Sequence, residues 1–161
     1  MGLVVRNMAL VPDSDIRAMA VYLASLQPPS SADEAQRETL AAKVVADAAR
    51  QAPLPDAAQR LFQGSCGACH HDGDGPQLLG VNRPLALNTN VHSDRPDNLL
   101  RIVLEGIQAP ATKDIGFMPS FANTLTEKQL VLLVDGMRAR YAPDKPAWHN
   151  TAQTLATMRR P

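Results

Sequence analysis

Apolar positions along this chain recur at intervals of three and four, the spacing of a helix face, and no stretch keeps the strict alternation of a strand. In "PDSDIRAMAVYLASL", Ile16, Met19, Ala20, Leu23 and Leu26 form one stripe, and Asp13, Ser14 and Asp15 suit its N-terminal end. "QPPSS" breaks the chain. The Ala-rich, charged stretch of residues 32–51 predicts a second helix, which "APLP" stops. "DAAQRLFQGSC" predicts a third, with Ala58, Leu61, Phe62 and Ser65 on one face. Gly, Pro and Asn then mark a loop over roughly residues 72–94. "RPDNLLRIVLEG" predicts a fourth helix. Pro96 sits in its first turn, where a missing N–H costs nothing, and Gly106 falls near its end. "TLTEKQLVLLVDGMRARY" predicts a fifth, with Thr126 and Gln129 as a capping box and Leu130, Leu133, Val134 and Met137 as its stripe. The pattern is that of an all-α chain with long loops.

Composition narrows the function classes. The chain has 161 residues, enough for one ordinary domain and some flanking segments. Its 16 basic and 16 acidic residues balance, which argues against a nucleic-acid footprint or a polybasic membrane anchor. No apolar run approaches the roughly 18–20 residues that span a bilayer. "MGLVVRNMAL" lacks the basic start, long apolar stretch and small-residue cleavage site of a signal peptide. A chain of this kind working outside the cytoplasm is expected to be a mature form or a piece of a longer one. Aromatic residues are few: Phe62, Phe117, Phe121, Tyr22, Tyr141 and Trp148. A large prosthetic group could supply the missing core volume, and a core of Leu, Val and Ala explains the count equally well.

The candidate chemistry lies in "SCGACHHDGDGPQLLG", which holds both cysteines of the chain, Cys66 and Cys69, followed at once by His70. Three chemistries use this spacing. Zinc needs four ligands, usually as two local pairs, and neither a second C-x-x-C nor an H-x₃₋₅-H accompanies this one. A redox dithiol needs the cysteines at a helix N-terminus, where the dipole lowers the thiol pKa; these come at the end of a helical pattern, with no βαβ context. Haem attachment fits best: two thioether tethers, with the adjacent histidine as iron ligand. It calls for a second axial ligand downstream. "GFMPSF" offers Met118 off any helical stripe, with Pro119 after it to stiffen the backbone. His92 is the substitute ligand if Met118 fails, and His71, His92 and His149 otherwise read as surface residues.

With these residues in place the sequence resembles class I cytochrome c domains over about residues 55–142. The resemblance implies the class I fold, with long haem-wrapping loops preceded by two accessory helices, and one haem c bound covalently through Cys66 and Cys69 with His70 and Met118 as axial ligands. Phe62 matches the aromatic that packs on the terminal helix in that family, and Ala58 the small residue at the crossing. Pro76 matches the proline whose carbonyl receives the proton of the ligand histidine's far nitrogen. Met118 in "MPSF" matches the distal thioether, which raises the potential. Arg83 and Arg101 are candidates for the haem propionates. One departure stands out. Gly136 occupies the place where the terminal helix usually carries an aromatic facing the first helix, so a looser crossing is expected, or another side chain in the gap, from the N-terminal segment.

"NVHSDRPDNLLRIVLEGIQAP", "FMPSFANTLTEKQLVLLV" and "RARYAPDKPAW" also look like the last haem domain of multihaem subunits. Such subunits serve periplasmic dehydrogenases of the molybdenum hydroxylase or alcohol and aldehyde dehydrogenase type. Tyr22-Leu23 in the opening helix is similar to the "Y-L" pair of a terminal cytochrome helix, and Met1 to a preceding domain's axial methionine. The implied organisation is residues 1–26 as the end of a preceding cytochrome domain or an accessory helix, 27–54 as a linker with a helix, 55–142 as the cytochrome domain and 143–161 as a C-terminal extension. Helix 13–26 is expected to bury its stripe on its own domain, near Gly136, or on a neighbour. The implied function is single-electron transfer, not catalysis. Its setting is the periplasm, and its partners are a dehydrogenase catalytic subunit, a downstream acceptor and upstream haem domains of the same parent chain. A haem peroxidase is the alternative from another class; it needs an open distal position, which "MPSF" argues against.

Overall fold

The computed structural model of the chain describes residues 4, 7–26, 34–71, 84–108 and 117–159. Among these residues, five helices form where the sequence predicts them and two more appear beside them: α1 Asp13–Ser25, α2 Glu34–Ala49, α3 Asp56–Ser65, α4 Thr89–His92, α5 Asp97–Glu105, α6 Glu127–Tyr141 and α7 Thr151–Met158, of which α4 and α7 are the additions. No strand accompanies them among the described residues, so the all-α reading stands. Pro12, Pro55 and Pro96 stand at the N-caps of α1, α3 and α5, where their fixed φ suits the helix start. The capping box of α6 forms on both sides: Gln129 N donates to Thr126 Oγ1 at 3.3 Å and Thr126 N to Gln129 Oε1 at 2.8 Å.

The core is built where α3 crosses α6. Ala58 and Phe62 bury the inner face of α3, and Leu130, Leu133, Val134 and Met137 that of α6. Gly136 lets the two backbones approach: a Cβ there would lie 3.1 Å from Ala58 Cβ and 2.6 Å from Leu54 Cδ2. The crossing is therefore close, not loose. Leu54, just ahead of α3 and itself buried, fills the space beside the glycine, in place of the N-terminal segment expected there. The aromatic facing Phe62 comes from further along α6: Tyr141 sits with its ring centroid 6.2 Å from that of Phe62, at an interplanar angle of 46°.

One region differs from expectation, and two flanking segments add packing that the sequence does not state. Within the stretch read as a loop, residues 85–92 carry a 3₁₀ turn, Leu85–Leu87, and then α4, whose N-cap Asn88 side chain accepts from Asn90 N at 2.9 Å. The second accessory helix, α2, packs on that 3₁₀ turn and buries Ala48, so it is part of the domain's packing. The C-terminal extension is also structural. α7 lies against α5 and α6, and Leu155 is buried between them. Arg138 on α6, 2% exposed, reaches out to hold this layer. Its Nη1 donates to Val91 O at 2.5 Å and its Nε to Pro146 O at 3.1 Å, while its guanidinium lies 4.7 Å from the ring centroid of buried Trp148. Trp148 Nε1 in turn donates to Ser93 O at 3.0 Å.

α1 behaves otherwise. It buries none of its residues, and Met19, Tyr22, Leu23 and Leu26 are all exposed, so the expected burial of its stripe on the chain's own domain does not occur.

Candidate haem-attachment site

The site begins where α3 ends. Cys66 N and Gly67 N both donate to Phe62 O, at 2.7 and 2.8 Å, and close the helix. The chain then makes one more turn: Cys69 N at 3.1 Å and His70 N at 2.9 Å both donate to Cys66 O. Residues three apart on such a turn are neighbours on one face, so Cys66 and Cys69 stand side by side with His70 immediately beyond. Phe62, buried against α6, anchors the turn through its carbonyl. The position of the motif thus follows from the packing of α3.

The thiols are not disulfide-bonded. Cys66 is buried and Cys69 partly so. Burial pushes the Cys66 thiol up to about 11, and the neighbouring Cys69 adds to the rise. A dithiol oxidoreductase needs the opposite, a nucleophilic cysteine whose pKa is lowered. Among the described residues, no cluster of three or more His, Cys, Asp or Glu side chains could hold a metal ion by itself. The donor set instead fits a group tethered through two adjacent sulfurs, with a histidine at the next position.

Met118 arrives from a separate segment. α5 ends at Gly106, and Ile107 and Met118 then exchange both backbone hydrogen bonds as a single antiparallel bridge, 2.8 and 3.1 Å. Phe121 N donates to Val103 O at 3.0 Å, and Ser120 Oγ donates to Leu104 O. The Met118 side chain is partly buried and packs on the same apolar cluster that contains Cys66.

The other expected site residues fare differently. Pro76, Arg83 and Met1 lie outside the described residues, as do 72–83 of the expected haem-wrapping loop. Arg101 is exposed on α5, where its Nη1 pairs with Glu105 Oε1 at 3.0 Å. His149 is exposed as expected, whereas His71 and His92 are partly buried. His92 Nε2 donates to Ala86 O at 2.8 Å, so the nitrogen that would make it a substitute ligand is engaged. Sequence reasoning missed the Ile107–Met118 bridge and the Arg138–Trp148 clasp, since both join positions distant along the chain.

Residues 53–135 match the family model described as "Cytochrome C oxidase, cbb3-type, subunit III". The chain belongs to this family of c-type cytochrome domains. It is 45% identical over 159 residues to one of the subunits of nicotinate dehydrogenase from Pseudomonas putida, an alignment that covers 99% of this chain and 13% of that protein. It is 27% identical over 138 residues to the cytochrome c subunits of quinone alcohol dehydrogenases from Gluconacetobacter polyoxogenes and Komagataeibacter europaeus, covering 83% of this chain and 29% of each. The chain therefore spans only a small part of the curated relatives it matches. A cytochrome domain of this family carries electrons by a covalently bound c-type haem. Among the described residues, no helix is long and apolar enough to cross a membrane.

Proposed function

We propose that this cytochrome domain holds one haem c through thioethers at Cys66 and Cys69, with His70 and Met118 as axial ligands. In this role it passes single electrons from a periplasmic dehydrogenase toward a respiratory acceptor. The observation that carries the reading is the turn Cys66–His70 at the end of α3, which presents two neighbouring sulfurs and the histidine from one rigid anchor. The haem supplies the ferric–ferrous couple. The chain's residues supply the rest. The Phe62 carbonyl fixes the start of the attachment turn, and the Cys66 carbonyl fixes the backbone of His70. The Ile107 bridge fixes the backbone of Met118. The buried faces of α3, α5 and α6 exclude water from the space beside these donors, and burial is one of the levers that set a haem potential. Pro76 is the acceptor we assign to the far nitrogen of His70, and Arg83 and Arg101 the residues we assign to the propionates; for Arg101 this requires leaving Glu105.

The dehydrogenase partner rests on the names of the relatives, which include an enzyme for nicotinate and enzymes for alcohols. Upstream haem domains of a longer parent chain would be its immediate electron donors.

Attachment and ligation are tested separately. Haem should stay with the chain through acid–acetone extraction, and the Cys66→Ala/Cys69→Ala double variant should release it. Release from the unaltered chain rejects covalent attachment. Met118→Ala should abolish the far-red thioether-to-iron band, admit imidazole or carbon monoxide and lower the potential; Met8→Ala and Met158→Ala should leave the band intact. An unchanged spectrum for Met118→Ala rejects the distal ligand.

A further inference from the structure

The segment that carries Met118 is clasped to the end of α5 at a point where only a residue without a side chain fits. Gly106, the C-cap of α5, has φ 69° and ψ −167°. That combination belongs to a region of backbone space occupied essentially by glycine alone. The space is closed as well. A Cβ built on Gly106 would collide with the carbonyl oxygen of Met118 and come within 2.7 Å of the Pro119 carbonyl carbon. Immediately beyond, the Ile107–Met118 bridge exchanges its two hydrogen bonds, and Gln108 Nε2 donates to Met118 O at 3.3 Å. Ser120 Oγ donates to Leu104 O, inside the last turn of α5. Every one of these contacts acts within residues 118–120, and none needs the Met118 side chain.

We propose that Gly106 is a positioning residue for Met118: its conformation and lack of a side chain let the methionine segment seat on the end of α5, and this seating sets how firmly the thioether holds the sixth coordination position. The proposal rests on the assignment of Met118 as distal ligand. A side chain at 106 forces either the α5 terminus or the Met118 carbonyl to move, and the bridge couples that movement directly to the Cα of the ligand. The sulfur then meets the iron less often, and an added ligand competes with it more successfully.

The test uses the haem-loaded chain and reads the far-red thioether band, imidazole affinity and potential, none of which a merely structural role would move at temperatures well below melting. Gly106→Ala should weaken the band and raise imidazole affinity about tenfold, the size of effect that forced backbone strain commonly supplies, with the potential falling in parallel. Gly64→Ala is the control, since a Cβ at Gly64 meets nothing within 4 Å; it should leave all three readouts unchanged. If Gly106→Ala loses stability but keeps the native band and imidazole affinity, the glycine is structural only and the proposal is overturned. If Gly106→Ala does not fold, Ser120→Ala carries the test: a several-fold rise in imidazole affinity supports the clasp, and native affinity overturns it. Met118→Ala separates the two levels. Should that variant keep the band, the ligand assignment has failed and the positioning role falls with it. Should it lose the band while Gly106→Ala and Ser120→Ala keep theirs, only the positioning role is wrong.

Discussion

Helices α1 and α6 read alike along the chain and behave oppositely in the structure. Each has an acidic start and an apolar stripe at helical spacing. On α6 the stripe is wholly covered: Leu130, Leu133 and Val134 are 0% exposed, and Tyr141 extends the packed face to Phe62. On α1 the stripe is mostly bare: Ile16 is half-buried, but Leu23 is 60% exposed and Leu26, at the C-cap, 62%. The difference lies in the partners. α6 meets α3, α4, α5 and α7, each presenting small or branched side chains at the right place. α1 is followed by "QPPSS" and a second helix that packs elsewhere, on Leu85–Leu87. Periodicity states that a helix has an apolar face; it does not state that the same chain covers it. An isolated helix of this length is marginal in water, and α1 gains no buried residue from the packing around it.

The largest expected effect separates the two helices directly. Leu133→Ala removes a fully buried side chain from α6 and should lower unfolding free energy by about 2–5 kcal/mol. Leu23→Ala, on the exposed stripe of α1, should change it by no more than about 0.5 kcal/mol. Denaturant titrations of the haem-loaded chain measure both. Equal losses would show that the α1 stripe is covered in solution, and the contrast between the helices would vanish.

A smaller effect probes why α6 packs so closely. Alanine normally gains about 1 kcal/mol over glycine inside a helix. At Gly136 that gain meets an obstacle, because the new Cβ would press on Ala58 Cβ, which the α3 backbone holds in place, and on Leu54, which is buried. Overpacking of this kind costs about 1–3 kcal/mol, so Gly136→Ala should destabilise on balance. Adding Leu54→Ala should make the alanine at 136 better tolerated, and a double-mutant cycle should show coupling between the two positions. A plain gain of stability in Gly136→Ala would mean that the crossing has room to spare.

What could be read in advance follows the same division. The capping box at Thr126, the proline start of α5 and the glycine at its end are local signals, and all of them hold. The attachment motif is local too, and it falls on the turn closing α3. The features that escaped are those made by distant partners. Arg138 is a charge near the end of a helix, and it is buried because carbonyls of Val91 and Pro146 and the face of Trp148 converge on it. Leu54 lies in "APLP", a stretch legible as a helix break but not as the filler of a gap opposite Gly136. α7 is short, and its one deeply buried apolar side chain, Leu155, makes a weak period. Backbone pairing of Ile107 with Met118 leaves no trace in residue types at all.

The smallest effect concerns the seam between α6 and α7, where the covered helix meets its last partner. Asp135 is half-buried there and accepts a hydrogen bond from Thr151 Oγ1 at 2.6 Å. Burial raises its pKa above the ordinary 3.8, and the bond from Thr151 opposes the rise only in part. A carboxyl whose pKa is raised by folding keeps its proton in the native state at pH values where the unfolded chain has already lost it. The native state is then relatively favoured in acid, and that advantage is lost as pH climbs from near 3.8 through the raised value. At neutral pH the charged Asp135 is therefore a small net cost to the seam. Asp135→Asn keeps an acceptor for Thr151 and removes the charge. It should be at least as stable as the native chain at pH 7, and its advantage should shrink as the pH falls toward 4. Glu127 and Lys128 line the same cleft, but they are present in both proteins and largely cancel in the difference. Thermal melts of the two chains across this range decide the matter: an advantage that grows in acid would mean that the bond from Thr151, and not burial, governs Asp135.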